Sequence, residues 1–233
     1  MDLCTPESID PPKNVLVVHP NDETSEACEC LSHPSNEIAK LEVSFSGDLP
    51  HRPTDETGPS KFGVISVGDM LRAARVDSEP DFTAPVTVDA IEDPTDLSAI
   101  GVAISRFCEY WGSGPEQLVV CFDSLDGLLR GSDPKTVFEF CYMLNKRFSS
   151  VDALAHFHLD PTRHEDRIVA TLGSIFDEVV ADDVSTDPTP EATDEDVARV
   201  LDEWDRETES GLTSPNGPFT EATDEDVARL FSE

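Results

Sequence analysis

Apolar and polar positions change period along the first 181 residues of this chain, and each change predicts an element. Asn14–Val18 is a short apolar run, and Leu41–Phe45 alternates apolar with polar. Both spacings suit strands, and Phe62–Val67 and Val86–Asp89 add two more. The stretches between them are polar and proline-containing. Residues 1–12, closed by Pro11-Pro12, are predicted to be a disordered lead-in. His19–Ser25 reads as a loop, about Thr24–Leu31 as a helix, and Gly47–Lys61 and residues 77–85 as long connections.

From Asp96 the period lengthens. Leu97, Ile100, Ile104, Phe107, Cys108 and Trp111 recur at steps of three and four, which predicts a helix from Asp96 to about Trp111. Asp96 is its expected N-cap, and Gly112-Ser113-Gly114-Pro115 its stop. Gln117–Asp123 is apolar on both faces at its centre, the pattern of a strand inside a parallel sheet covered on both sides. A second amphipathic helix is predicted over Pro134–Phe148, with Val137, Phe138, Cys141, Leu144 and Phe148 on one face. A strand over Ala153–Leu159, a helix over Arg163–Leu172 and a strand over Phe176–Val180 follow. Strands alternating with helices across residues 13–181 predict a three-layer α/β sandwich with a mainly parallel central sheet. Ligands of such sheets bind beyond the C-terminal strand ends. That rule selects His19–Ser25, Val67–Asp69, Asp123-Ser124 and His158–Asp160.

The pattern changes again at Asp182. Residues 182–233 are an acidic tail with Asp-, Thr- and Pro-rich linkers, predicted to be largely disordered apart from two short helices. Those helices come from a repeat: EATDEDVARV at 191–200 returns as EATDEDVARL at 221–230, nine of ten residues identical at a spacing of 30. A local duplication explains such identity. Thr193 or Thr223 can cap each helix, with Asp196 or Asp226 three residues on. Val197, Val200, Leu201 and Trp204 form one apolar stripe within 191–204, and Val227, Leu230 and Phe231 its counterpart within 221–232. Helices this short are marginal alone in water. They are expected either to dock on the chain's own core or to serve as a duplicated ligand for a protein partner.

Charge narrows the setting. The chain carries 49 acidic against 16 basic residues, a formal net charge of −33. A compact chain so charged repels itself unless salt shortens the Debye length, to roughly 3 Å at 1 M. The acids run through the whole chain and lysine is scarce, which suits a salt-rich cytoplasm. A surface with no basic stripe is a poor partner for phosphate backbones, so no nucleic-acid partner is expected. The apolar runs are all too short to cross a bilayer, and MDLCTPESIDPPKN has no signal-peptide core, so a cytoplasmic location and no membrane partner are expected. Of Cys4, Cys28, Cys30, Cys108, Cys121 and Cys141, the last three sit in apolar patterns and read as small buried hydrophobes. A reducing compartment leaves disulfides unexpected.

The segments NVLVV (14–18), VISVGD (64–69), LVVCFDSLDGLL (118–129) and LAHFHLDP (154–161), in this order, resemble the RecA-like ATPase superfamily. Within it the chain resembles haloarchaeal proteins of unassigned function related to the clock-protein ATPases. The resemblance covers residues 14–181 and implies a RecA- or P-loop-like core. In competent relatives the first strand runs into a glycine-rich loop ending in Gly-Lys-Ser or Gly-Lys-Thr, which cradles phosphate. Here the loop is His19-Pro20-Asn21-Asp22-Glu23-Thr24-Ser25, with no glycine and no lysine, and Asp22 and Glu23 stand where phosphate charge would lie. The resemblance therefore implies a degenerate site near Asn21, Thr24, Ser25, Asp123 and Ser124. Asp123 matches the acid that orients Mg²⁺ and water in those ATPases, or it is an acid at a strand end that caps the next helix. RecA-like relatives often form rings, which leaves a homo-oligomer open.

Other candidates carry less. His156 and His158 lie two apart on a predicted strand and share a face, with His164 and Asp160 nearby, a spacing that can bind zinc. The plainer reading is one packed histidine and one at a strand end, and no metal is assigned. Cys28-Glu29-Cys30 lacks the spacer of a zinc knuckle, and Ser124 lacks the flanking glycines of a nucleophile elbow. No catalytic residue and no cofactor are assigned. The expectation is a non-catalytic regulatory or scaffold protein that binds a protein partner through Val197, Val200, Leu201, Trp204, Val227, Leu230 and Phe231. The alternative is a nucleotide-binding RecA-like ATPase or sensor with a rebuilt phosphate site.

The charge alone generates a first expectation. Thermal melting followed from dilute buffer to multi-molar KCl should rise steeply with salt. A flat or falling melting temperature across that range contradicts adaptation to high salt.

Overall fold

A computed structural model of the chain describes residues 11–20, 31, 37–45, 58–69, 80–181 and 192–208. Their strands form one sheet: β1 (Lys13–Val18), β2 (Ile38–Ser44), β3 (Lys61–Val67), β4 (Val86–Ile91), β5 (Gln117–Phe122), β6 (Leu154–Leu159) and β7 (Glu178–Ala181). The order across the sheet is β4-β3-β2-β5-β6-β1-β7, and every neighbouring pair is parallel. The helices whose full extent falls among the described residues are α1 (Leu97–Trp111), α2 (Leu125–Leu129), α3 (Pro134–Ser149), α4 (Asp166–Gly173) and α5 (Asp194–Thr208). The chain is thus an α/β protein built on a seven-stranded parallel sheet.

Strand alternation divides the sheet into two chemically different faces. Leu16, Val18, Leu41, Val43, Ile65, Val67, Val120, Phe122, Ala155, Phe157 and Leu159 point to one face. There they form the main core with α1, α3 and α4. Phe122 stacks on Phe157, with ring centroids 5.3 Å apart, and Phe157 meets Phe176 edge-on. Val15 and Val17 point to the other face and pack with Leu31, a buried helical residue.

Local chemistry starts and stops these elements largely where the sequence places them. The Asp96 carboxylate caps α1 by accepting from Ala99 N at 2.8 Å. Asp133 caps α3 by accepting from Thr136 N, with Pro134 filling the first helical turn. Several boundaries differ, and β4, for one, runs on to Ile91 past the expected Asp89. β2 begins at Ile38, ahead of the expected Leu41, because its early residues pair with both β3 and β5. The expected helix over Arg163–Leu172 divides into a 3₁₀ turn, Pro161–Arg163, and α4, since Asp160 caps the turn and His164 leaves helical geometry. β7 begins at Glu178, because Phe176 N closes a turn onto Gly173 O. The short helix α2 has no counterpart among the expected elements. The expected helix at Thr24–Leu31 lies outside the described residues apart from Leu31, as does the second tail repeat.

The first tail repeat takes the docked course of the two expected for it. α5 packs on α3 and α4, with Val200 and Trp204 each 5% exposed. Lys135 on α3 is bonded to Asp205, an interaction that holds the lysine above its ordinary pKa, and Arg167 reaches Glu203 at 3.4 Å. Apolar anchors one turn apart find a matching apolar surface here, and burial of an indole outweighs exposed ion pairs, which contribute about 0–1 kcal/mol each. The capping box forms as the repeat suggests: Thr193 Oγ1 accepts from Asp196 N at 3.2 Å, and Asp196 accepts from Thr193 N.

No helix among the described residues is long and apolar enough to cross a membrane. Where β3 passes under α1, the backbone comes very close to the helix. A Cβ on Gly63 would lie 2.6 Å from Phe107 Cε1 and 2.8 Å from Trp111 Cη2. Gly63→Ala should therefore cost about 1–3 kcal/mol through overpacking. An unchanged denaturation midpoint in saturating KCl contradicts this packing.

Candidate functional site

Successive connections leave the sheet's centre in opposite directions. From β1 the chain steps through β2 and β3 to the β4 edge, and from β5 it steps through β6 to the β7 edge. Neighbours whose onward connections run in opposite directions, β2 with β5 and β6 with β1, form the crevices at which such sheets take ligands. The side chains at these strand ends are therefore the ones to follow.

At the first crevice, Asp123 leaves β5 and its carboxylate is engaged across the gap. Ser44 Oγ donates to Asp123 Oδ2 at 2.8 Å, and Phe45 N donates to Oδ1 and Oδ2 at 3.0 and 3.1 Å. Asp123 thus ties the end of β2 to the end of β5, and it is Ser124, not Asp123, that caps the following helix. Ser124 Oγ accepts from Gly127 N at 3.3 Å.

One residue into that helix, Asp126 makes the next tie. It is 2% exposed, accepts from Asp160 N at 3.1 Å and meets His164 Nε2 at 2.5 Å. The end of β5 is thereby joined to the end of β6. Asp160 is itself engaged, accepting from Thr162 N and from Arg163 Nε, both at 2.9 Å. At the second crevice His19 N donates to Leu159 O, and the His19 ring lies 2.8 Å from His158 Nδ1. From β2 to β1, the strand ends are laced together by side chains of the protein itself.

Behind this seam, on the face opposite the main core, lies a cluster of different chemistry. Cys121, His156 and His158 are 7%, 0% and 5% exposed, and one ligand atom from each lies within 4.8 Å of the others. The same sheet face carries Lys40 and Glu42 on β2, paired at 2.5 Å. By contrast Cys141, on the main-core side, has its thiol pKa pushed far up by burial, as suits a packing residue.

A family model covers this sheet from β1 to β7, matching residues 12–182, the greater part of the chain. The chain belongs to DUF7504, a family of unknown function. No curated protein matches it. The DUF7504 region ends at the close of β7, so α5 lies beyond it and docks onto it.

Within this DUF7504 domain, the residues selected from sequence are distributed unevenly. Asp123 and Ser124 stand at the β2–β5 crevice, whereas Asn21, Thr24 and Ser25 lie outside the described residues, as do Val227, Leu230 and Phe231. His156 and His158 do share a face, but their neighbour is Cys121; His164 and Asp160 are engaged with Asp126 and Arg163. Three participants fall outside the set that sequence selects. Ser44 and Asp126 carry only weak local signals, the better of them an acid two positions after a capping serine. Cys121 looks like a small hydrophobe in sequence, because the strand beside it is not visible there.

Asp126 offers a direct test of the seam. Asp126→Ala removes the acceptor used by the Asp160 amide and the His164 ring in a buried setting, which should cost about 1–3 kcal/mol. Urea unfolding at high KCl reads this as a lowered midpoint, and an unchanged midpoint contradicts the seam.

Proposed function

We propose that this protein is a non-catalytic scaffold or regulator that joins a protein partner through its duplicated tail motif. The observation that carries the proposal is the seating of α5, whose Val200 and Trp204 are buried against α3 and α4. An amphipathic helix anchored at i and i+4 in a groove is a recurring mode of peptide recognition. The surface over α3 and α4 accepts this motif within the chain, and the sequence holds a second copy of it.

The second copy carries Val227 where the first has Val197, Leu230 for Val200 and Phe231 for Leu201. It therefore presents equal or larger residues at three of the four stripe positions, with its aromatic anchor at the Leu201 position and not at that of Trp204, to a groove of the same kind on another molecule, in the first instance a second copy of this chain. The first repeat then acts as a latch, and the second as the offered ligand. A motif tethered near its groove competes at high effective concentration, so the latch sets the threshold for exchange.

The strand-end chemistry supports the non-catalytic part. Asp123 is committed to Ser44 and Phe45, and the loop after β1 has neither the glycines nor the lysine of a phosphate cradle. The RecA-like resemblance accordingly supplies a scaffold in this reading and not an ATPase. A cytoplasm rich in salt is the setting that the charge favours.

A labelled peptide of residues 221–233 tests the proposal in high KCl. It should bind full-length Trp204→Ala protein about tenfold tighter than the wild type, because the weakened latch frees the groove. No saturable binding to a Trp204→Ala protein that circular dichroism shows to be folded contradicts the proposal. Equal affinity for both proteins places the second copy elsewhere and also contradicts it.

A further inference from the structure

The strand register brings together three side chains, of which the seam uses only His158. β5 and β6 are parallel neighbours with Cys121 opposite His156, and His158 follows two positions on, so all three project from one face. Their neighbours on β1, Val15 and Val17, are apolar and buried. A thiol and two imidazoles meet beside an apolar strand, in the interior of a parallel sheet that would ordinarily bury only aliphatic residues.

We infer that Cys121, His156 and His158 form a binding site for a soft divalent transition-metal ion, Zn²⁺ in the first instance. A thiolate with imidazoles is the donor set that selects zinc over the hard cations, which prefer oxygen. The spacing fits. With Zn–S near 2.3 Å and Zn–N near 2.0–2.1 Å in a tetrahedron, sulfur and nitrogen ligands stand about 3.6 Å apart. Cys121 Sγ lies 3.8 Å from His158 Nε2, so a small contraction closes the edge.

The hydrogen bonds behind His158 strengthen the assignment. His19 Nδ1 is 2.9 Å from Pro20 O, which can only accept, so that nitrogen carries a proton. In neutral His19 the other ring nitrogen is then the acceptor for His158 Nδ1, 2.8 Å away. His158 Nδ1 in turn is the donor, which leaves the His158 Nε2 lone pair facing Cys121 Sγ. This is the tautomer a metal ligand needs, fixed by an outer partner in the way that metal-bound histidines are commonly oriented. His19 therefore acts as the positioning residue. Binding balances simply: the Cys121 thiol gives up its proton to solvent, and its sulfur and two imidazole nitrogens bond the ion, with a fourth position left for water or another donor.

The test is a titration of the metal-stripped full-length protein with Co²⁺ in multi-molar KCl and excess Mg²⁺, which silences the surface carboxylates. One equivalent should produce a thiolate-to-cobalt charge-transfer band that Zn²⁺ abolishes. The band should vanish in Cys121→Ser and persist in a Cys28→Ser plus Cys30→Ser protein. His19→Ala should keep the stoichiometry and weaken affinity about 10–100-fold. No band in the wild type, a band that survives Cys121→Ser, or one lost with Cys28 and Cys30 overturns the site. If Cys121→Ser does not fold, the His19→Ala titration decides, and an unchanged affinity there overturns the assignment.

Discussion

Parallel strands cannot be joined by tight turns, so each step between neighbours needs a crossover lying on a face of the sheet. With seven such strands, the ends at the sheet's centre belong to segments that depart in opposite directions. Polar backbone groups exposed at those ends must be satisfied by something other than a ladder partner. In this chain side chains satisfy them. Asp123 receives the Phe45 amide, Asp126 receives the Asp160 amide, and the His19 ring meets His158. A location that the topology makes available for ligands is occupied by the protein's own acids and imidazoles.

The same topology separates two chemistries that lie only a sheet's thickness apart. One face is an aromatic and aliphatic core in which Phe122, Phe157, Phe148 and Trp111 are sealed beneath α1 and α3. The other holds the Cys121–His156–His158 cluster and the Lys40–Glu42 pair. Alternation along β5 and β6 is what keeps them apart: Phe122 and Phe157 face the helices, while the residues immediately before them, Cys121 and His156, face away. A single-residue slip of either strand would exchange the two sets, so burial alone specifies the register strongly here.

Much of the fold is legible in the sequence because long periodic segments are decided by burial. The three- and four-residue spacing from Leu97 to Trp111 and the continuous apolar run Leu118–Phe122 each have one economical interpretation. The site is less legible, since its members are brought together by pairing between distant strands. Nothing local to Cys121 announces His156 as its neighbour, and nothing local to Ser44 announces Asp123, 79 residues away. The tail shows the same limit. Its anchors Val200 and Trp204 are visible as a stripe, but whether the stripe meets a partner or α3 and α4 depends on a surface assembled from other elements.

Whether the seam closes the β2–β5 crevice to a nucleotide is measured most directly by titrating Mg²⁺-ATP into the full-length protein in multi-molar KCl with calorimetric detection. With Asp123 committed to Ser44 and Phe45, and no lysine after β1, no saturable heat is expected. A one-to-one binding isotherm that disappears on Asp123→Ala would contradict it and restore the nucleotide-binding alternative.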